Sequence, residues 1–82
     1  MSNRKSIKSL PKLGERLKKW RKSQGLTLVE VAGMMGGTIG PLSETENGHS
    51  LPSIETVAMF HKKTNLNIMW LLFNEGEILK EK

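Results

Sequence analysis

"LVEVAGMMGGTIGPLSETEN", residues 28–47, is the stretch of this 82-residue chain that decides its fold. Four of its positions are constrained at fixed offsets: Ala32, Gly36, Leu42 and Thr45. Two helices that cross steeply over a short turn touch near the fifth residue, which must be small, and the turn needs a positive φ, which suits glycine. Leu42 and Thr45 face the crossing, where apolar residues are favoured, a preference that Thr45 satisfies in part. The spacing predicts a helix over 28–35, a tight turn and a second helix over 38–47.

Signals at helix ends predict the remaining elements. Thr27 can cap the helix that follows it, with Glu30 capping in return, and Thr38, Ser53 and Asn67 stand where three further helices would begin. Apolar residues at helical spacing predict a first helix over 11–23. No alternating strand pattern is present. Five short helices joined by connections of a few residues indicate an all-α, compact five-helix bundle.

The fourth helix is expected to turn three apolar residues into the core: Ile54, Val57 and Phe60. His61 would lie on the same inner side as a packed histidine. Asn65 would end this helix in the left-handed conformation.

Composition excludes several classes of function. The chain has no cysteine and only two histidines, so neither a disulfide nor a metal site is expected. No apolar run approaches the roughly 20 residues that span a bilayer, and the basic start lacks the apolar segment of a signal peptide. An amphipathic basic pattern near the start would suit a membrane surface, but Pro11 interrupts it. With no catalytic constellation present, we expect a cytoplasmic protein that is not an enzyme and binds no cofactor, small-molecule substrate or membrane.

The net charge of +5 conceals a strong asymmetry. Residues 1–25 contain nine Lys or Arg and a single Glu, whereas the rest of the chain contains four Lys and seven Glu. A basic end on a weakly acidic body favours nucleic acid or another anionic surface as partner. We expect a flexible basic arm over 1–10, one compact domain over 11–76 and a C-terminal tail over 77–82.

From Leu13 to Gly76 the chain resembles the phage repressor and Cro family of helix-turn-helix DNA-binding domains. The likeness is carried by "LGERLKKWRKSQGLT" (13–27), "ENG" (46–48), "LPSIETV" (51–57) and "NLNIMWLLFNEGE" (65–77), together with the pattern of 28–47. The resemblance implies a lambda-repressor-like fold that binds double-stranded operator DNA as a two-fold dimer, with 38–47 as the recognition helix. It also implies an ion pair between Arg21 and Glu46 that ties the first helix to the recognition helix.

The recognition helix is expected to contact bases through Thr38, Ile39, Gly40, Ser43 and Glu44. Ile39 would pack against a thymine methyl, Gly40 would let the backbone come close and Glu44 would accept from a cytosine amine. Family members commonly carry Gln at the position of Leu28 and Gln or Arg at that of Ile39, so base reading here would be mostly apolar. Phosphates would be contacted by Arg4, Lys5, Lys8, Thr27, Asn47 and His49.

These features predict a sequence-specific transcriptional regulator, a repressor that occupies operator DNA as a homodimer. Leu72 and Phe73 lie in an unusually apolar stretch and are expected to form the dimer interface. The alternative to a dimer interface is that the fifth helix only covers the core. The alternative function is a protein-interaction module on the same fold, such as an antitoxin-like partner, which Leu28, Val29 and Ile39 favour because they are expected to be exposed apolar groups.

Overall fold

A computed structural model describes residues 10 and 12–81, and these residues form five α-helices without a strand longer than an isolated bridge. The helices are α1 (Leu13–Ser23), α2 (Leu28–Met34), α3 (Ile39–Glu46), α4 (Ile54–Lys63) and α5 (Ile68–Phe73). The predicted all-α, five-helix bundle is confirmed. Pro11, the predicted start of the first helix, lies outside the described residues. Within those residues no helix is both long and apolar enough to cross a membrane.

The starts of α2, α4 and α5 are fixed by the side chains that the sequence indicates. Thr27 Oγ1 accepts from the Glu30 N–H at 3.1 Å, and Glu30 Oε1 accepts from the Thr27 N–H at 2.8 Å, which completes the capping box. Ser53 and Asn67 accept from backbone N–H groups in the first turns of α4 and α5. Local sequence therefore determines where these three helices begin.

Thr38 takes the predicted N-cap position of α3, but the capping hydrogen bond expected of its side chain is absent. The backbone of Thr38 adopts the extended conformation of a residue that precedes a helix. A capping hydroxyl accepts from the second or third residue of the helix, and the third residue of α3 is Pro41, which has no N–H, so Gly40 is the one donor left to it. The helix still continues through Pro41 because its first turn needs no intrahelical donor there.

A hydrophobic core joins the five helices. The Trp20 ring meets Phe60 edge to face, with ring centroids 5.8 Å apart and planes at 89°. Its indole Nε1–H donates to Asn65 Oδ1 at 2.9 Å, so the polar tip of the buried tryptophan is satisfied. The buried apolar residues are Leu13, Leu17, Trp20, Val31, Ala32, Leu42, Phe60, Leu66, Trp70 and Leu71.

Two predictions for α4 are wrong. Ile54 is 87% exposed although it was expected in the core, whereas Phe60 is buried and Val57 half-buried. Residues three apart lie about 60° from each other around a helix, so a face centred on Phe60 leaves Ile54 about 120° away. His61, which follows Phe60 by about 100° around the helix, is exposed rather than packed.

The expected left-handed stop at Asn65 is also wrong. Among the described residues other than glycine, only Asn74 has a positive φ, of 59°. The backbone at Asn65 and Asn67 instead forms hydrogen bonds with the C-terminal segment. The Lys80 N–H donates to Asn65 O at 2.8 Å, and the Asn67 N–H donates to Ile78 O at 2.9 Å. Residues 77–80 of the predicted tail therefore lie against the corner between α4 and α5.

Candidate nucleic-acid interface

The elements α2 and α3, with the turn between them, form the predicted helix-turn-helix. Ala32, Leu42 and Thr45 are buried, and Gly36 in the turn has a φ of 71°. Thr45 is accommodated among apolar neighbours because its Oγ1–H donates to Pro41 O, one turn earlier, at 3.1 Å. Each of the four constrained positions thus takes the environment that its spacing predicts.

Gly14 is a positioning residue whose role the sequence spacing does not reveal. A Cβ built on Gly14 would lie 2.1 Å from Thr45 O and 2.8 Å from Glu46 O, so the backbones of α1 and α3 meet here without room for a side chain. The sequence "LGERLKK" shows a small residue at Gly14, but the residues that it contacts, Thr45 and Glu46, lie about 30 positions further along the chain. This contact fixes the C-terminal end of α3 against α1.

Arg21 and Glu46 form the ion pair that the family resemblance implies. Arg21 Nε donates to Glu46 Oε2 at 2.7 Å and Nη2 donates to Oε1 at 3.0 Å, while Nη1 donates to Leu26 O at 3.0 Å. Only 11% of the Arg21 side chain and 5% of the Glu46 side chain are exposed. The hydrogen bonds that Arg21 donates to the Glu46 carboxylate raise the pKa of Arg21 above its ordinary value. The charge of Glu46 is therefore neutralised within the protein.

Four of the five predicted base-contact residues lie on the outer side of α3, and the fifth, Thr38, directly precedes the helix. Thr38, Ile39, Gly40 and Glu44 are exposed and Ser43 is half-buried. Leu42, Thr45 and Glu46 form the opposite, buried side of the helix. We call Ile39, Gly40, Ser43 and Glu44 the outer face of α3. The N-terminal end of this face is apolar, because Ile39 is 39% exposed there. The backbone at Gly40 is open to solvent, because a Cβ on Gly40 would meet no atom within 4 Å.

The carboxylate of Glu44 is the acidic group of this outer face. Its Oε1 lies 3.7 Å from His49 Nδ1, and both side chains are largely exposed. The imidazole of His49 therefore lies beside the acidic end of the outer face.

The predicted phosphate-contact residues fall into two groups. Arg4, Lys5 and Lys8 lie outside the described residues. Thr27, Asn47 and His49 are exposed near the start of α2 and the end of α3, although the Thr27 hydroxyl already serves the α2 cap. Four exposed lysines lie along α1 or next to it: Lys12, Lys18, Lys19 and Lys22. The basic first third of the sequence thus supplies exposed cations within the folded domain.

The two predicted dimer residues take different environments at the end of α5. Arg16, whose role the sequence did not reveal, donates from Nε to Leu71 O at 2.7 Å and from Nη2 to Leu72 O at 3.1 Å, which fastens α5 to α1. Leu72 is half-buried against the core, whereas Phe73 is 53% exposed. Met69, one helical turn before Phe73, is also exposed and shares its side of the helix.

In the described part of the chain, no three acidic or histidine side chains are grouped so that they could hold a metal ion.

Comparison with known proteins identifies the family. No curated protein and no solved structure matches the sequence. A family model described as helix-turn-helix matches residues 17–71, well over half of the chain, and spans the helix-turn-helix, the Arg21–Glu46 pair and most of α5. The chain therefore belongs to the helix-turn-helix family of the phage repressor and Cro type, whose members are DNA-binding regulators of transcription.

Proposed function

We propose that the protein is a cytoplasmic transcriptional repressor that binds operator DNA as a homodimer, with α3 in the major groove. The observation that carries this proposal is the contrast between the two sides of α3. Its inner side is fixed by Gly14, Ala32 and Arg21, while its outer face is exposed. A helix held in this way can enter a groove without rearrangement of the domain.

In this complex the outer face of α3 reads bases and the cations near α1 bind the phosphates. Thr38 and Ser43 offer hydroxyl groups, and Glu44 accepts from a cytosine amine. Arg4, Lys5, Lys8, Thr27, Asn47 and His49 contact the phosphates of the DNA. Glu46 is already neutralised by Arg21, so the acidic groups near the phosphates are Glu44 and Glu30, whose Oε1 accepts from the Thr27 N–H.

We further propose that Phe73 and Leu72 form the dimer interface. The exposed ring of Phe73 and the neighbouring Met69 form an apolar surface at the end of α5, which a second copy would cover. A two-fold axis through this surface would set the two recognition helices about 34 Å apart, the repeat of B-DNA.

Selection of bound duplexes from a random pool tests this function. Enrichment of one palindrome supports it, and failure to enrich any sequence contradicts it. Affinity for the enriched duplex should fall with salt, with a log-log slope of about −0.9 per phosphate contacted. Deletion of residues 1–9 should flatten that slope, whereas the control Lys62→Ala on α4 should leave it unchanged.

The second candidate function is protein binding through the same surface, as in an antitoxin-like partner. The observation that favours it is Val29, which is 62% exposed at the start of α2 although a residue near DNA is more often polar. Leu28, which was also expected to be exposed, instead packs partly buried against the core. Under this function, the selection would enrich no sequence, and a partner encoded nearby would protect α3 from hydrogen exchange.

A further inference from the structure

The N-terminal turn of α3 lacks the groups that usually read base edges by hydrogen bonding. Between Val31 and Ser43 the chain contains no Arg, Lys, Asn, Gln, Asp or Glu. Ile39 is the apolar side chain of the outer face, and it is 39% exposed. Paired hydrogen bonds from a long side chain, the commonest form of specific base contact, are therefore not available from this turn.

The shape of the turn favours close approach to the floor of the groove. A Cβ on Gly40 would meet nothing within 4 Å, so no side chain separates the backbone at this position from a bound duplex. Pro41 follows and also lacks a long side chain. The branched side chain of Ile39 can then reach a group on the base edge directly, at van der Waals distance.

We propose that Ile39 contacts the C5-methyl group of a pyrimidine in each half-site, so that the protein selects its operator partly by methyl groups. This inference rests on the proposed function, because it names what the outer face of α3 reads. The C5-methyl group is the apolar feature of the major-groove edge, and thymine carries it. 5-Methylcytosine carries the same group at the same ring position, and the experiment below distinguishes the two sources.

Removal of single methyl groups from the bases of the selected operator tests the proposal. Each thymine is replaced in turn by deoxyuridine in both half-sites, which removes only the methyl group, and affinity is measured by fluorescence anisotropy. Losing the burial of one methyl group corresponds to a roughly 4-fold weaker affinity, or about 15-fold for two half-sites. We expect this loss at one symmetric position and smaller changes elsewhere. If the critical pyrimidine is a cytosine instead, 5-methylcytosine at that position should strengthen binding by the same factor.

The variant Ile39→Ala assigns the effect to its residue. It should bind the thymine and deoxyuridine duplexes with equal affinity, because the contact with the methyl group is gone. Ile54→Ala is the matched control, since Ile54 is likewise the first residue of its helix and is even more exposed. That control should keep the full preference for the methylated duplex.

Two results would overturn the proposal while leaving operator binding intact. One is an enriched operator whose affinity changes less than 2-fold for every methyl group removed or added. The other is an Ile39→Ala protein that keeps the full preference. Failure to enrich any operator would instead contradict the proposed function itself.

Discussion

Replacement of Gly14 by alanine tests the packing of α1 on α3 most directly. The added Cβ would lie 2.1 Å from Thr45 O and 2.8 Å from Glu46 O. Close carbon–oxygen contacts in proteins are about 3.3 Å or longer, so the two helices must separate by about 1 Å. Both oxygens belong to the backbone, and neither can turn away as the end of a flexible side chain could.

The energy follows from two opposing effects. Overpacking of a well-packed contact costs about 1–3 kcal/mol, and a clash with backbone lies at the upper end of this range. Alanine is a better helix former than glycine by up to about 1 kcal/mol, which offsets part of the cost. The expected net loss is about 2 kcal/mol of unfolding free energy, or roughly 10 °C in melting temperature for a domain of this size.

Urea and thermal unfolding followed by circular dichroism measure this loss. Gly33→Ala is the matched control, because Gly33 is exposed in α2 and a Cβ there would meet no atom within 4 Å. The control should be up to about 1 kcal/mol more stable than the parent protein, because only helix propensity changes. If both variants are stabilised to the same extent, the close contact of Gly14 with α3 is refuted.

Three further substitutions separate stability, DNA binding and assembly. Glu46→Gln leaves the mostly buried charge of Arg21 without its counterion and should cost about 3 kcal/mol in urea unfolding; an unchanged midpoint would mean that the pair contributes nothing. Gly40→Ala adds a Cβ in open space, so the melting temperature should stay the same or rise while affinity for the selected operator falls. Unchanged affinity would show that Gly40 does not lie at the DNA interface. Phe73→Glu should give monomers in sedimentation equilibrium with little change in stability, because its side chain is largely exposed; a persistent dimer would contradict the proposed interface.

Features that depend on neighbouring residues were predictable from the sequence. The capping box of Thr27 and Glu30, and the caps at Ser53 and Asn67, involve partners within three residues. Thr38 is also a threonine at an N-cap, yet its side chain makes no capping hydrogen bond, and Pro41 removes one of the two N–H groups from which it could accept. The preference of one residue is therefore not sufficient, and the residue that would supply the N–H must be considered with it.

Apart from the Arg21–Glu46 pair, which the family resemblance implied, the packing between distant helices was not predictable from the sequence. In α4 the apolar residues Ile54, Val57 and Phe60 form a stripe that winds around the helix, and nothing in ten residues shows which end of the stripe faces inward. The contact of Trp20 with Phe60 decides it. Likewise, a small residue at Gly14 is visible in the sequence, but its role appears only when α1 lies on the end of α3.

In the proposed complex, affinity and selectivity reside on different elements. Arg21 of α1 neutralises Glu46, and the exposed lysines of α1 add positive charge, so α3 needs no cation of its own. Attraction between these charges and the phosphates acts over a Debye length of about 8 Å and is almost independent of sequence. A contact between Ile39 and a methyl group, in contrast, acts only at van der Waals distance and carries no charge. The side chain at Ile39 can therefore determine which operator is bound without changing how binding depends on salt.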